Sequence, residues 1–172
     1  MTVTDNVNQE YTFCLESETQ YTRLQRTIQW LKSNMESLKD SNQEPLFSKV
    51  NLGYNENTIK GFGKKPVCDV YLSKTNYNHK VGDAYPSNIV SNIIIYLKGN
   101  MNNAYLKACE VNDYIIQEFA TNKQFQYLSV TEDNKKVLII NDTKITDSEI
   151  RIIPSSKSYG VLVALELTHS IN

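Results

Sequence analysis

Chemistry in this chain would have to come from few residues. His79 and His169 are the only histidines, and Cys14, Cys68 and Cys109 the only cysteines. None of the five stands at a metal-ligand spacing, and neither histidine sits in a nucleophile or metalloprotease motif. A catalytic thiol needs a base or cation beside it to become a thiolate. Three scattered cysteines suit inert positions in a reducing compartment better than a disulfide framework. Gly61-Phe62-Gly63 has the outline of a phosphate loop, but the third glycine, the following helix and the Lys-Ser/Thr pair are missing, so it reads as a turn. Glu110, Asp113 and Glu118 have no acid or base spaced to help them and read as a solvated helix face. An enzyme reading must gather dispersed residues such as Tyr71, His79, Asp83 and Glu166, and requires a polar pocket with displaced pKa values. Motif and spacing therefore point to no catalytic residue, no cofactor and no metal.

Charge and composition narrow the partners. Eighteen basic against nineteen acidic residues give a formal net charge of -1, and the run Lys64-Lys65 is too short to serve a phosphate backbone. Sequence-specific nucleic-acid binding is not expected. No apolar stretch approaches the ~20 residues that cross a bilayer, and the polar, acidic start MTVTDNVNQE does not read as a signal peptide. Without a secretory route the sequon Asn141-Asp142-Thr143 carries no meaning. Nineteen asparagines, and lysine in large excess over arginine, mark an AT-rich gene. At 172 residues the chain predicts a single domain spanning 1–172, with residues 1–16 loose.

The elements that must position any functional group follow from periodicity. Leu24, Ile28, Leu31, Met35 and Leu38 form one stripe at helical spacing, which predicts a helix from Glu18 to about Lys39, with Ser17 and Gln20 placed as a capping box. Trp30 lies off the stripe and reads as core packing before a partner anchor. Pro45 forbids continuation of the helix. A short strand LFSKVNL and a turn-rich stretch follow. VCDVYLS predicts a strand with Cys68, Val70 and Leu72 on one face. The segment Lys74–Asn88 has no apolar rhythm and reads as a fifteen-residue loop, long enough to suggest binding.

Ile89–Leu97 is apolar on both faces and predicts a central strand. A helix capped at Asn102 or Asn103 should bury Ala104, Ala108, Val111, Ile115 and Phe119. Beyond it, FQYLSVT and KVLIIN predict one hairpin around Glu132–Lys135, and EIRIIP and YGVLVALELTH a second. In the last strand Val161, Val163, Leu165 and Leu167 share a face, and the other face is half apolar. The fold class is α+β: a mostly antiparallel sheet flanked by two main helices.

This order of elements resembles the tail-terminator (tail-completion) proteins of long-tailed bacteriophages. The resemblance is carried by DVYLS, AYPSNIVSNIIIYLKG, NAYLKACEVNDYIIQEF and EIRIIPSSKSYGVLVALELTH, from about Val67 to Thr168. The long first helix and the Phe125–Asn141 hairpin go beyond the minimal family pattern. The resemblance implies a structural virion protein of the tail and neck, made in the host cytoplasm. It implies a homo-oligomeric ring, of six subunits, that caps the tail tube and meets the head-tail connector, while DNA passes through. Its partners would be itself, the tail-tube protein and the connector, with no membrane and no catalysis. The residues expected to meet a partner are Lys74, Tyr77, His79, Lys80 and Tyr85, in the predicted loop. Two other readings stand beside it: another phage neck or tail component, and a monomeric adaptor that binds protein through the same loop.

Overall fold

The structure, a computed structural model, describes residues 2–4, 10–12, 20–53, 65–77, 86–132, 134–153 and 159–171. Within the first sixteen residues, expected to be loose, β1 (Thr2–Thr4) pairs antiparallel with β2 (Glu10–Thr12). Helix α1 (Gln20–Ser37) follows the predicted stripe: Leu31, Met35 and Leu38 are buried. Ser17, the expected cap, lies outside the described residues.

A six-stranded sheet holds the rest together. Its strands are β3 (Lys49–Leu52), β4 (Val67–Tyr77), β5 (Pro86–Gly99), β6 (Leu128–Glu132), β7 (Lys135–Ile153) and β8 (Tyr159–Ile171). They lie in the order β3-β4-β5-β8-β7-β6, and every neighbouring pair is antiparallel except β3–β4, which makes the sheet mixed. As its apolar run predicts, β5 is central, and it pairs with β8 from Asn88↔Ser170 to Gly99↔Tyr159.

Both main helices pack on one face of this sheet. Helix α2 (Met101–Thr121) presents Ala104, Ala108, Val111, Ile115 and Phe119, all buried, to Ile93, Ile95, Leu97 and the run Val161, Val163, Leu165, Leu167. That stripe is the one expected, while Asp113 and Glu110 are exposed. The opposite face is half polar, but it buries Val67, Asp69, Ile94 and Tyr96. Asp69 was not foreseen inside. Asn51 Nδ2 of the parallel neighbour β3 donates to its Oδ1 at 2.7 Å, as a buried carboxylate requires.

Four sequence expectations need correction. The first turn of α2 is capped by Asn100, whose Oδ1 accepts from Asn102 N at 3.2 Å, not by Asn102 or Asn103. Phe125 and Gln126 belong not to a strand but to a short helix, α3 (Lys123–Gln126), because Asn122 ends α2 and caps α3: its N–H donates to Glu118 O, and its Oδ1 accepts from Gln124 N. Phe125 is buried edge-on against Phe119 at 5.1 Å. Both expected hairpins form, β6 with β7 and β7 with β8, but KVLIIN and EIRII, expected as separate strands, are one strand of 19 residues, β7. Register shifts at Ile140/Asp142 and Ile145/Asp147 break its period of two, which is why DTKITD reads as a connection.

The fourth correction concerns the fifteen-residue loop. Lys74, Thr75, Asn76 and Tyr77 continue β4, pairing with Val90, Ile89, Asn88 and Pro86, so only residues 78–85 separate the strands. A bulge between Leu72 and Lys74 hides the alternation in sequence. Pro86 is tolerated because it opens its strand.

Candidate functional site

The five residues expected to meet a partner divide. Lys74 lies within β4 and is exposed; Tyr77 is the last residue of that strand. His79, Lys80 and Tyr85 lie outside the described residues, as does Asp83. Of the dispersed enzyme set, Tyr71 and Glu166 share a row across three strands, flanking Asn92 on the face away from the helices. Two strand spacings separate them by about 10 Å. Glu166 accepts from Thr146 Oγ1 at 3.2 Å.

Among the described residues, strand pairing stops short along both outer strands. On one side β3 covers only Val67–Val70 of β4, so among the described residues no strand pairs with the outer side of Tyr71–Tyr77. On the other, β6 covers β7 only as far as Ile140, and no described strand pairs with the outer side of Asp142–Ile153. A strand side with no neighbour carries a row of N–H and C=O groups that another chain can meet. Charge differs between the two strands. Lys74 is the one charged side chain on Tyr71–Tyr77 and makes no ion pair among the described residues. On β7, Asp147 and Glu149 stand exposed, and the Arg151 guanidinium, 2.6 Å from Glu149, holds that carboxyl below its usual range. Asp147 Oδ1 accepts from the neighbouring Ser148 N at 2.9 Å.

An apolar patch adjoins the β7 edge. Ile152, 46% exposed, lies beside Tyr105 (43%) and Leu106 (66%) of the first turns of α2, with Asn102 at the border. Aromatic and aliphatic groups left wet together on a compact domain mark contact surfaces.

The second notable arrangement is buried. Ser91 on β5 and Thr143 on β7 flank His169 on β8: Ser91 Oγ is 2.6 Å from Nε2, and Thr143 Oγ1 is 2.9 Å from Nδ1. The Trp30 ring stands edge-on to the imidazole at 5.8 Å, and its Nε1 donates to Gln124 O in α3. Trp30 is thus core packing with a polar tether. Burial pushes the imidazole pKa down from 6.5 to about 4, so the ring is neutral at pH 7. A neutral imidazole has one donor and one acceptor, so one hydroxyl donates to it and the other accepts.

A serine hydrogen-bonded to histidine is the chemistry of an activated nucleophile, which also needs an orienting group and access. Here the third partner is a hydroxyl, and Ser91 and His169 are both 0% exposed. The triplet ties three strands together inside the sheet. No motif surrounds His169, but it continues the two-residue step of Val161, Val163, Leu165 and Leu167, and that parity was the available signal. Cys68, wholly buried, has its thiol pKa raised by burial, while Cys109 is half-buried. Among the described residues, no group of three or more His, Cys, Asp or Glu could hold a metal ion, and no helix is long and apolar enough to cross a membrane.

Compared with known proteins, the chain matches no family model and no curated relative.

Proposed function

We propose that the chain is a structural virion protein, a tail terminator whose ring of six subunits caps the tail tube of a long-tailed phage and joins it to the head connector. The observation that carries the reading is the outer side of Asp142–Ile153, with which no described strand pairs, on a sheet whose opposite flank β3 covers only over Val67–Val70. A closed ring needs a subunit that can be met by a neighbour on each side, through two different surfaces. The order α1, β4, β5, α2, β7, β8 is also the order of elements on which the family resemblance rests. The strand-to-helix unit β5–α2 then serves as scaffold, and the function lies at the edges it holds apart.

The reading is tested by removing the gene from its phage and measuring tail length by electron microscopy, with and without the chain supplied from a plasmid. Loss should give tails of irregular, excessive length that carry no head, and the wild-type chain should restore both. Tails of normal length joined to heads in the absence of the chain would overturn it.

A further inference from the structure

The outer side of β7 also fits a partner of its own kind. We infer that Ser148–Ile152 of two copies pair antiparallel across a two-fold axis at Ile150, joining two sheets through β7. The contact stands whether or not the chain builds a ring. Under the ring reading it occupies the strand side that ring closure needs, so the pair must part before assembly on the tube.

Charge along the strand is the first support. The register between β7 and β8 shifts at Ile145/Asp147 and is regular from there to Ile153. Ser148–Ile152 is the middle of that regular stretch, and no described strand pairs with its outer side. Ile150 and Ile152 face the helices, while Glu149 and Arg151, opposite Ala164 and Leu162, face away. With Ile150 on the axis, Glu149 of one copy lies opposite the partner's Arg151, and the reverse, so two pairs of opposite charge form. The Glu149–Arg151 ion pair within each chain need not break. Both side chains are exposed, and in the joined pair each guanidinium stands between two carboxylates and each carboxylate between two guanidiniums. Neighbouring registers set like charges together. Moving the axis to Ser148 sets Asp147 against the partner's Glu149, and moving it to Glu149 or Arg151 sets that residue against its own copy. Lys144 lies beyond the shift at Ile145/Asp147 and takes no part.

Apolar surface on the helix side is the second. A two-fold axis normal to the sheet keeps both copies of α2 on one side and runs them antiparallel. Because α2 packs over β8 and β7, the two helices stand about two to three strand spacings apart, ~10–14 Å, close to the width of a helix with its side chains, roughly 10–12 Å. Tyr105, Leu106 and Ile152, wet in the single copy, border the open side of β7, and the partner's strand and helix cover that border. On the axis Ile150 meets its own copy. Ile152 lies opposite the partner's Ser148, whose Oγ already donates to Asn112 Oδ1 at 2.8 Å, so closure leaves no hydroxyl without a bond.

Charge reversal with a mixing arm tests the inference. Purified wild type, Glu149→Lys, Arg151→Glu and an equal mixture of the two variants are compared by light scattering after size exclusion, over a range of concentrations. The altered side chains are exposed, and thermal melts confirm that each variant folds. The wild type should form two-copy particles. Each single variant turns both attractive pairs into like charges and should weaken association about tenfold or more. In the mixture every facing pair is opposite again, so mixed pairs should form at least as readily as wild-type ones. Ile150→Cys, oxidised and mapped by mass spectrometry, should link two copies through position 150, as a residue on the axis can. A wild type that stays monomeric at its highest soluble concentration overturns the inference. Pairs that survive both reversals overturn it, and so do losses that mixing fails to repair. Six-copy particles indifferent to both reversals overturn it and leave the ring reading standing. Tails of normal length in the gene's absence overturn the ring and leave the two-fold pair to be judged by the scattering alone.

Discussion

The buried imidazole of His169 should make the stability of this protein fall steeply in mild acid. In the unfolded chain His169 titrates near 6.5, and in the fold near 4, because charging it strands a cation inside the sheet. The unfolded state therefore binds the proton more readily. Stability from this group is complete above about pH 6.5, declines as pH falls, and is exhausted below about 4. At 1.36 kcal/mol per pH unit, the full loss is about 3 kcal/mol, a large part of the 5–15 kcal/mol that holds a typical domain. The hydroxyls of Ser91 and Thr143 soften the charge little. They already make hydrogen bonds to both ring nitrogens and add no opposing charge. Denaturant melts at pH 7.5, 6, 5 and 4, on the wild type and on His169→Gln, isolate the effect, since carboxylates such as Asp40 titrate in both proteins. The wild type should lose about 3 kcal/mol more than the variant between pH 7.5 and 4. Imidazole NMR on the wild type gives the same answer without a mutation. Equal losses in the two proteins, or a ring titrating near 6.5 in the fold, would refute the reasoning.

Other substitutions probe the frame. Ile115→Ala should cost about 2–5 kcal/mol in chemical melts, and Ile115→Asp enough to unfold the domain, whereas Asp113→Ala on the wet side of α2 should stay within about 0.5 kcal/mol. Asn100→Ala removes the cap of α2 and should cost about 1 kcal/mol. Asn122→Ala, which strips one helix end and the start of the next, should cost more than Asn100→Ala in the same melts. Gly53, at φ 85 with its N–H donating to Val70 O, should resist replacement: Gly53→Ala is expected to lower the midpoint by about 1 kcal/mol of stability. Thiol labelling of the native protein, mapped by mass spectrometry, should modify Cys109 well before Cys68.

Where one residue period governs a whole element, the element was legible. The α2 stripe from Ala104 to Phe119 and the β8 face from Val161 to Leu167 were readable because each packs on a single continuous surface. Legibility failed where register slips. A bulge beside Ser73 disguised the end of β4 as loop, and two bulges split β7 into apparent halves. Polar edge strands mislead in the same way, since an edge need not be apolar to pair on its inner side. The candidate surface is only partly visible in the sequence: Lys74 is an expected contact residue, but its place within β4 is hidden by the bulge between Leu72 and Lys74. The serine–histidine–threonine triplet was invisible because it is assembled from three strands.

That strand order also governs when the protein can fold. The most apolar strand, β5, completes its pairing only with β8, and the intervening 60 or so residues form α2, α3, β6 and β7. On the ribosome, β5 therefore emerges well before its central partner, and at about 5–20 residues per second it waits several seconds with one side unmatched. Pairings so distant in sequence close slowly even in the released chain. Until β8 docks, Ile93, Ile95 and Leu97 have α2 to shelter them but only half of their sheet. A nascent chain stalled before residue 159 should thus be the most aggregation-prone species in the protein's life, and the one on which chaperones act.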